Sequence, residues 1–276
     1  MVTHLPEIGV TVISRWLFNC YLVHDGGAGR PFVVDVGMPS HVDTAAEVLA
    51  RHGGDLTDLG AAVATHGHGD HVGGLPLLHE RTAIDICYPA ALRPIIDTGE
   101  FRSPGPREVA RILPVMADQP FDLEALREVG RAGSTIGYGS SGPRFDLAPT
   151  HWLGDGDQLP GHPDWTVLAT PGHVDDSTCL YNARTRTLLS GDTILSVGGR
   201  GWFNPEFVDA GLSADSEARL RPLDVEHLLP GHGRVVTGPR LLDVALSHRE
   251  RPADAGAVRS LRAIYRSHRT GAHAHT

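Results

Sequence analysis

Apolar and polar positions follow two periods along this chain, and the order in which the periods alternate gives the first outline of its architecture. Residues 8–13, 19–23 and 32–37 carry apolar runs rich in β-branched and aromatic side chains and read as strands, with a hairpin-type turn at 25–30. The third run ends on Asp35 and Gly37. A carboxylate at the end of an apolar strand needs a partner, so Asp35 either caps the next turn or supports a neighbouring residue from behind. The period then lengthens. Val42, Ala45, Ala46 and Leu49 fall on one helical face, with Ser40 and Asp43 placed to cap its start and Gly53 to end it. A second short apolar run, residues 59–64, leads into Thr65-His66-Gly67-His68-Gly69-Asp70-His71, after which Val72, Leu75, Leu77 and Leu78 begin another helix. A meander of strands followed by helix, strand and helix predicts a layered α/β protein with helices packed on a sheet.

From about residue 97 to 149 this rhythm breaks. Pro104, Pro106, Pro114 and Pro120 and a glycine-rich piece at 130–139 leave room only for short helices, at 106–113 and 122–129. The segment is either an inserted lid over a substrate or a structural cover for the core. Strands resume at 151–153, 165–170, 178–181 and 187–189, the last two joined by a turn at 182–184. Further on, residues 226–229 and 235–236 read as strands and 239–249 as a helix. Residues 1–250 are expected to form a single domain. Residues 251–276, rich in Arg, His and Ala, are expected to be a flexible tail whose terminal histidines are not a metal site.

Composition narrows the functional classes. The 276 residues are 41% hydrophobic and 21% charged, which predicts a soluble globular chain large enough for a substantial core. No apolar run approaches the roughly 20 residues that span a bilayer, so no membrane partner is expected. The start of the chain lacks the basic and then apolar pattern of a secretory signal, which points to the cytoplasm. A formal charge of −9 argues against a nucleic-acid partner held by clustered cations. The three cysteines, Cys20, Cys87 and Cys179, are far apart and form no Cys-x-x-Cys pair, so neither a disulfide framework nor a thiolate metal site is indicated.

The chemistry concentrates in histidine and aspartate. His66, His68, Asp70 and His71 place three imidazoles and a carboxylate on a strand-to-helix turn, and imidazole and carboxylate are ligands of borderline cations. Three later strand ends repeat the pattern of apolar run, small residue, then His or Asp: Pro171-Gly172-His173, Ser190-Gly191-Asp192 and Pro230-Gly231-His232. Ligands at one edge of a sheet converge without being close in sequence.

With these residues in view, the chain resembles the metallo-β-lactamase-fold hydrolase superfamily over about residues 8–250. His66, His68, Asp70 and His71 match the family's His-x-His-x-Asp-His motif; His173, Asp192 and His232 match its later ligands, and Asp35-Val36-Gly37 its early Asp-x-Gly. The resemblance implies an αββα sandwich of two pseudo-repeated halves with metals at one edge. It places one metal on His66, His68 and His173 and another on Asp70, His71 and His232, with Asp192 bridging. Two zinc ions are the default, and iron or manganese suit the same ligands. It further implies a bridging hydroxide that attacks an acyl carbon, with Asp70 as the catalytic proton carrier.

Within the family, true zinc β-lactamases carry Cys near the position of Asp192, which argues against antibiotic hydrolysis. Hydroxyacylglutathione hydrolases add a carboxy-terminal helical domain for which too few residues remain here. The expectation is therefore a hydrolase of a small-molecule acyl substrate, a thioester or a lactone. The alternatives are a zinc-dependent cyclase of polyketide-type biosynthesis and a mononuclear iron persulfide dioxygenase. Asp175 and Asp176 resemble the thioesterase-like and ribonuclease-like subset, although turn capping is the preferred reading. Arg200 and Trp202 either meet substrate or pack beneath a loop.

Overall fold

The computed structural model describes residues 1–24, 29–139, 142–253 and 257–271. The first strands are β1 (Val2–Leu5), β2 (Val10–Arg15), β3 (Phe18–Val23) and β4 (Phe32–Val34), an antiparallel meander. Helix α1 (Pro39–Arg51) then crosses over to β5 (Ala61–Val63), which pairs parallel to β4. Helices α2 (Gly69–Val72) and α3 (Leu75–Thr82) lead to β6 (Asp85–Pro89), again parallel. Four helices follow: α4 (Leu92–Thr98), α5 (Pro106–Val109), α6 (Leu113–Ala117) and α7 (Leu123–Ala132). The chain then returns as β7 (His151–Leu153) beside β6, completing a sheet in the order β1 to β7.

The second half contains β8 (Gln158–Leu159), β9 (His162–Ala169), β10 (Thr178–Asn182) and β11 (Thr187–Gly191). A hairpin of β12 (Ile194–Val197) and β13 (Arg200–Phe203) and helix α8 (Ala210–Leu220) precede β14 (His227–Pro230) and β15 (Val236–Thr237). The second sheet runs β15-β14-β11-β10-β9-β8. Helices α9 (Leu241–Val244) and α10 (Ala257–Gly271) end the described chain. No helix among the described residues is long and apolar enough to cross a membrane.

Strand alternation explains the layering. On β4, Phe32 and Val34 face the second sheet, where they meet Trp165, Val167, Leu180, Leu189 and Leu229. Val33 between them faces the helices, with Val42 and Leu49 of α1 and Leu75 and Leu78 of α3. Because successive side chains point to opposite faces, one apolar run of three serves both cores. The far face of the second sheet is closed by Leu220 of α8 and Leu241 and Leu242 of α9, packed on Leu188 and Leu228. The result is the expected αββα sandwich. Each fully buried Val, Leu or Phe contributes about 1.5–3 kcal/mol relative to exposure, so both cores resist loss of a single contact.

Several local expectations change. The run at 151–153 belongs to the first sheet, since residues 97–149 are inserted between two of its neighbouring strands. Ser40 does not cap α1. The helix opens at Pro39, and the Ser40 amide donates to the Glu128 carboxylate of α7 at 2.7 Å. The helix expected over 239–249 is only α9, because Ala245 turns extended and Leu246 pairs with Gly201 and Phe203 of β13. The tail is not free over its whole length. Ser260, Ala263, Ile264 and Ser267 lie on one side of α10, where they are less exposed than their neighbours, and α10 packs on α6. Residues 272–276 and most of the turn at 25–30 lie outside the described residues.

Candidate metal centre

The apolar run of β5 ends at Ala64 and Thr65, and α2 starts at Gly69, so residues 66–68 are held between two anchored ends. His66 Nε2 lies 3.0 Å from His68 Nδ1, which lies 3.3 Å from His173 Nε2 on the loop after β9. Asp192, one residue beyond β11, straddles the cluster. Its Oδ1 reaches His71 Nε2 at 3.4 Å, and its Oδ2 reaches His232 Nε2 at 3.1 Å and His173 Nε2 at 3.5 Å. Asp70 Oδ2 is 3.2 Å from His232 Nε2. The donor atoms gather as three overlapping groups: His66, His68 and His173; His66, His71 and Asp192; and Asp70, His71 and His232. All the residues proposed as ligands from the sequence are therefore brought together.

The two sides of the cluster differ electrically. Burial, followed by the neighbouring imidazoles, holds His66 well below the ordinary histidine range and pushes His68 down to about 3. Those rings are neutral and present lone pairs. On the other side burial is outweighed by carboxylates: Asp192, Asp35 and Asp70 hold His71 far up, and Asp192 and Asp70 push His232 up to about 10. Burial likewise raises Asp192 and Asp70, but the adjacent imidazoles more than reverse this and keep both ionised. So dense a set of buried carboxylates requires protons on its imidazoles or cations in their place.

The residues fit a metal. His71 Nε2 and Asp192 Oδ1, which face each other in the cluster, are buried without a hydrogen-bond partner. Leaving such a group unsatisfied costs about 1–3 kcal/mol, and a cation among the donor atoms removes that cost for those that face it. An all-nitrogen and oxygen donor set suits zinc, with iron or manganese compatible.

Neighbouring residues fix the donors in place. Asp35 sits in the left-handed region, at φ 57°, and its two oxygens accept from the Thr65 amide and hydroxyl, each at 2.8 Å. Asp35 Oδ2 also meets His71 Nδ1 at 3.0 Å. Of the two roles open to Asp35, support of a neighbour is the one the geometry realises. Gly37 completes that motif for a different reason: a Cβ there would stand 1.7 Å from the Asp70 carbonyl oxygen. Gly231 is similar, since its Cβ would fall 2.4 Å from Asp192 Oδ1. His173 Nδ1 contacts the Glu206 carbonyl at 2.7 Å, which turns Nε2 toward the cluster. Asn204 donates to the Asp192 carbonyl at 2.8 Å.

The insertion is stitched onto the ligand turn. Tyr138 N–H donates to Gly67 O at 3.0 Å, and the Tyr138 hydroxyl donates to Asp176. Asp176, fully buried, also accepts from the Gly67 amide at 2.8 Å, and burial pushes its carboxyl up to about 6. Asp175 instead pairs with Arg102 of the insertion. Both aspartates thus tie the insertion down, which is more than capping a turn. The insertion forms one wall of a cavity of about 1110 Å³ into which His68, Asp70, His173, Asp192 and His232 open. Met116 and Tyr138 line it, whereas Arg200 and Trp202 do not. Trp202 is buried and donates to Ser247 O, so packing is its role. Sequence reasoning missed Asn204 and Glu206. Glu206 lines the cavity as a mostly buried carboxylate raised by desolvation, and an isolated Glu in a loop gave no signal of that.

Comparison with known proteins bears on the same residues. The chain is 25% identical over 257 residues to the probable metallo-hydrolase YflN of Bacillus subtilis (strain 168), covering 83% of this chain and 86% of that protein. It is 27% identical over 240 residues to the acyl-coenzyme A thioesterase MBLAC2 of Gallus gallus, covering 83% and 77%. Two further curated relatives are longer, and the chain spans 61% and 56% of their lengths. In fold it is similar to a metallo-beta-lactamase family protein of Thermus thermophilus, with a TM-score of 0.54, 19% identity and coverage of 97% and 78%. The family model of the metallo-beta-lactamase superfamily matches residues 16–232, a span that includes every residue of the cluster, and the chain belongs to that superfamily.

Proposed function

We propose that the protein is a dinuclear metallohydrolase, zinc-loaded by default, acting on the acyl carbon of a small thioester or lactone. The observation that carries this reading is Asp192, whose two carboxylate oxygens face His71 on one side and His232 and His173 on the other. A carboxylate so placed suits a pair of cations better than one, which favours a hydrolase over a mononuclear iron oxygenase. His66, His68 and His173 would hold one ion, and Asp70, His71 and His232 the other. Bound there, the pair supplies Lewis acidity and an activated water at neutral pH.

The chain's own residues do the rest. Asp70 has a side chain 27% exposed, against 1% for His71 and 4% for Asp192. Of the cluster's two carboxylates it is the more open to a group in the cavity, and His71 first, then His232, keep it ionised. The insertion walls the cavity and limits water at the acyl carbon. The relative named as an acyl-coenzyme A thioesterase supports an ester-type substrate. Three buried, free cysteines suit a reducing compartment such as the cytoplasm.

The test is metal analysis of the purified protein, then a panel of acyl thioesters, lactones and phosphodiesters with and without chelator. Two zinc ions per chain and chelator-sensitive turnover of a thioester or lactone are expected. One iron without zinc would overturn the dinuclear reading. A zinc-loaded protein that turns over nothing in the panel would move a condensing cyclase ahead of the hydrolase.

A further inference from the structure

The cavity beside the cluster is built from side chains that the proposed chemistry does not use. Among the described residues its lining contains no Lys or Arg; its charged groups are the cluster residues and Glu206. An anionic substrate arm would meet carboxylates there with no lining cation to pair with. Apart from Ser103 and Tyr138 the rest is apolar, and a row of rings lines it. From His232 the rings follow one another edge to face: Phe18 at 5.3 Å, Trp16 a further 5.9 Å on and Phe121 a further 4.8 Å. Beyond Phe121 stands α10, whose Ser267 hydroxyl accepts from the Phe121 amide and whose Ile264 lines the cavity.

The turn that delivers these rings is unusual. Arg15 pairs with Phe18 across the β2–β3 hairpin, so the two residues between them form its tip. Such tips favour Asn and Gly because their backbone enters the left-handed region. Here Trp16 holds φ 53°, and Leu17 is buried. A bulky residue in that region is strained, and strain of this kind gathers at ligand sites. Trp16 Nε1 donates to Met116 O at 3.2 Å, fixing the indole against the insertion.

We propose that this channel binds the straight, uncharged acyl chain of the substrate, with the acyl carbon at the cluster and the chain running along Phe18 and Trp16 towards Phe121 and Ile264. The assignment rests on reading the cluster as an ester hydrolase, and it makes the C-terminal helix part of the specificity determinant. Burying each methylene multiplies affinity about fourfold, so a chain longer by four methylenes binds roughly two-hundredfold tighter while the channel lasts.

The experiment titrates the zinc-loaded full chain with butyl, octyl and dodecyl methyl ketones, which carry the carbonyl and chain but no cleavable ester, and reads binding by calorimetry. Affinity is expected to climb with chain length and then level off. Ile264→Trp shortens the length at which it levels off, and Phe121→Ala lengthens it. Equal affinity across the series, or variants that shift all three ketones alike, would overturn the assignment. Failure of the hydrolase reading looks different: the ketones bind with the expected length dependence, yet no ester of any chain length is cleaved.

Discussion

The cluster and the channel wall are built on opposite principles. The cluster residues follow strand ends or, for Asp70 and His71, lie in the helix after one, and their neighbours are locked by backbone and buried side-chain bonds: Asp35 to Thr65, Asn204 to Asp192, and Asn19 and Tyr21 to Pro230. The wall consists of short helices separated by prolines and glycines and is attached mainly through side chains. Its ties include the Tyr138–Gly67 backbone contact, Asp176, Arg102, the Ser40–Glu128 and Trp16–Met116 bonds and the pairing of Arg15 with Asp122 and Glu128. On the proposed reading, chemistry that needs fixed distances rests on the sandwich and recognition on the wall.

The largest effect is expected where both metal groups meet. Asp192→Ala should empty both sides of the cluster and lower turnover by well over a hundredfold, because residues that merely support ligands already cost about 10–100-fold. Metal content measured beside activity checks this, and full occupancy in the variant would refute the bridging placement. Asp35→Asn probes the supporting layer. It keeps an acceptor for the Thr65 amide and tolerates the left-handed backbone, but it loses one carboxylate oxygen and the negative charge beside His71. Metal affinity should fall about 10–100-fold with little change in fold, measured by chelator competition and circular dichroism.

The same division decides what could be read from the sequence. The cluster was legible because each donor follows an apolar run that itself specifies a strand, so His66, His173, Asp192 and His232 announce both their chemistry and their location. The two cores were legible for the same reason. The wall was legible only in part. The short helices expected at 106–113 and 122–129 are present as α5 and α7, but α10 faces the molecule with Ser260, Ala263, Ile264 and Ser267, a face with a single large apolar residue, so it read as a tail. The partner of β7 was hidden because an apolar strand states its faces and not its neighbour. Asp176 looked like turn chemistry because its partners, Gly67 and Tyr138, are far away in sequence.

Asp176 tests how firmly the wall is tied. Its folded pKa of about 6 lies above the ordinary aspartate value near 3.8, because burial penalises the charge more than Tyr138 and Gly67 stabilise it. A raised carboxyl favours folding fully below the unfolded value and loses that contribution as pH climbs through the folded one. From about pH 3 to pH 7 the wild type should therefore lose up to about 3 kcal/mol relative to Asp176→Asn, which cannot ionise, about 2 kcal/mol of it between about pH 4 and pH 6. Denaturant unfolding of both proteins across that range measures the difference, and a difference independent of pH would show that Asp176 is solvated.

Arg102 gives the smallest expected effect and the sharpest contrast with Asp176, since both hold the insertion to the loop after His173. The guanidinium meets Asp175 through two nitrogens and Asp209 at 3.3 Å, but its side chain is 49% exposed. Water and salt screen such a pair, so Arg102→Ala should cost less than about 1 kcal/mol, and that loss should fade as ionic strength rises. KM for the substrate found in the panel should rise less than about fivefold, with kcat unchanged, because 1 kcal/mol is worth no more than that. If instead Arg102→Ala lowers kcat and strips metal, the wall and the cluster are mechanically one unit, and the separation of chemistry from recognition fails at this point.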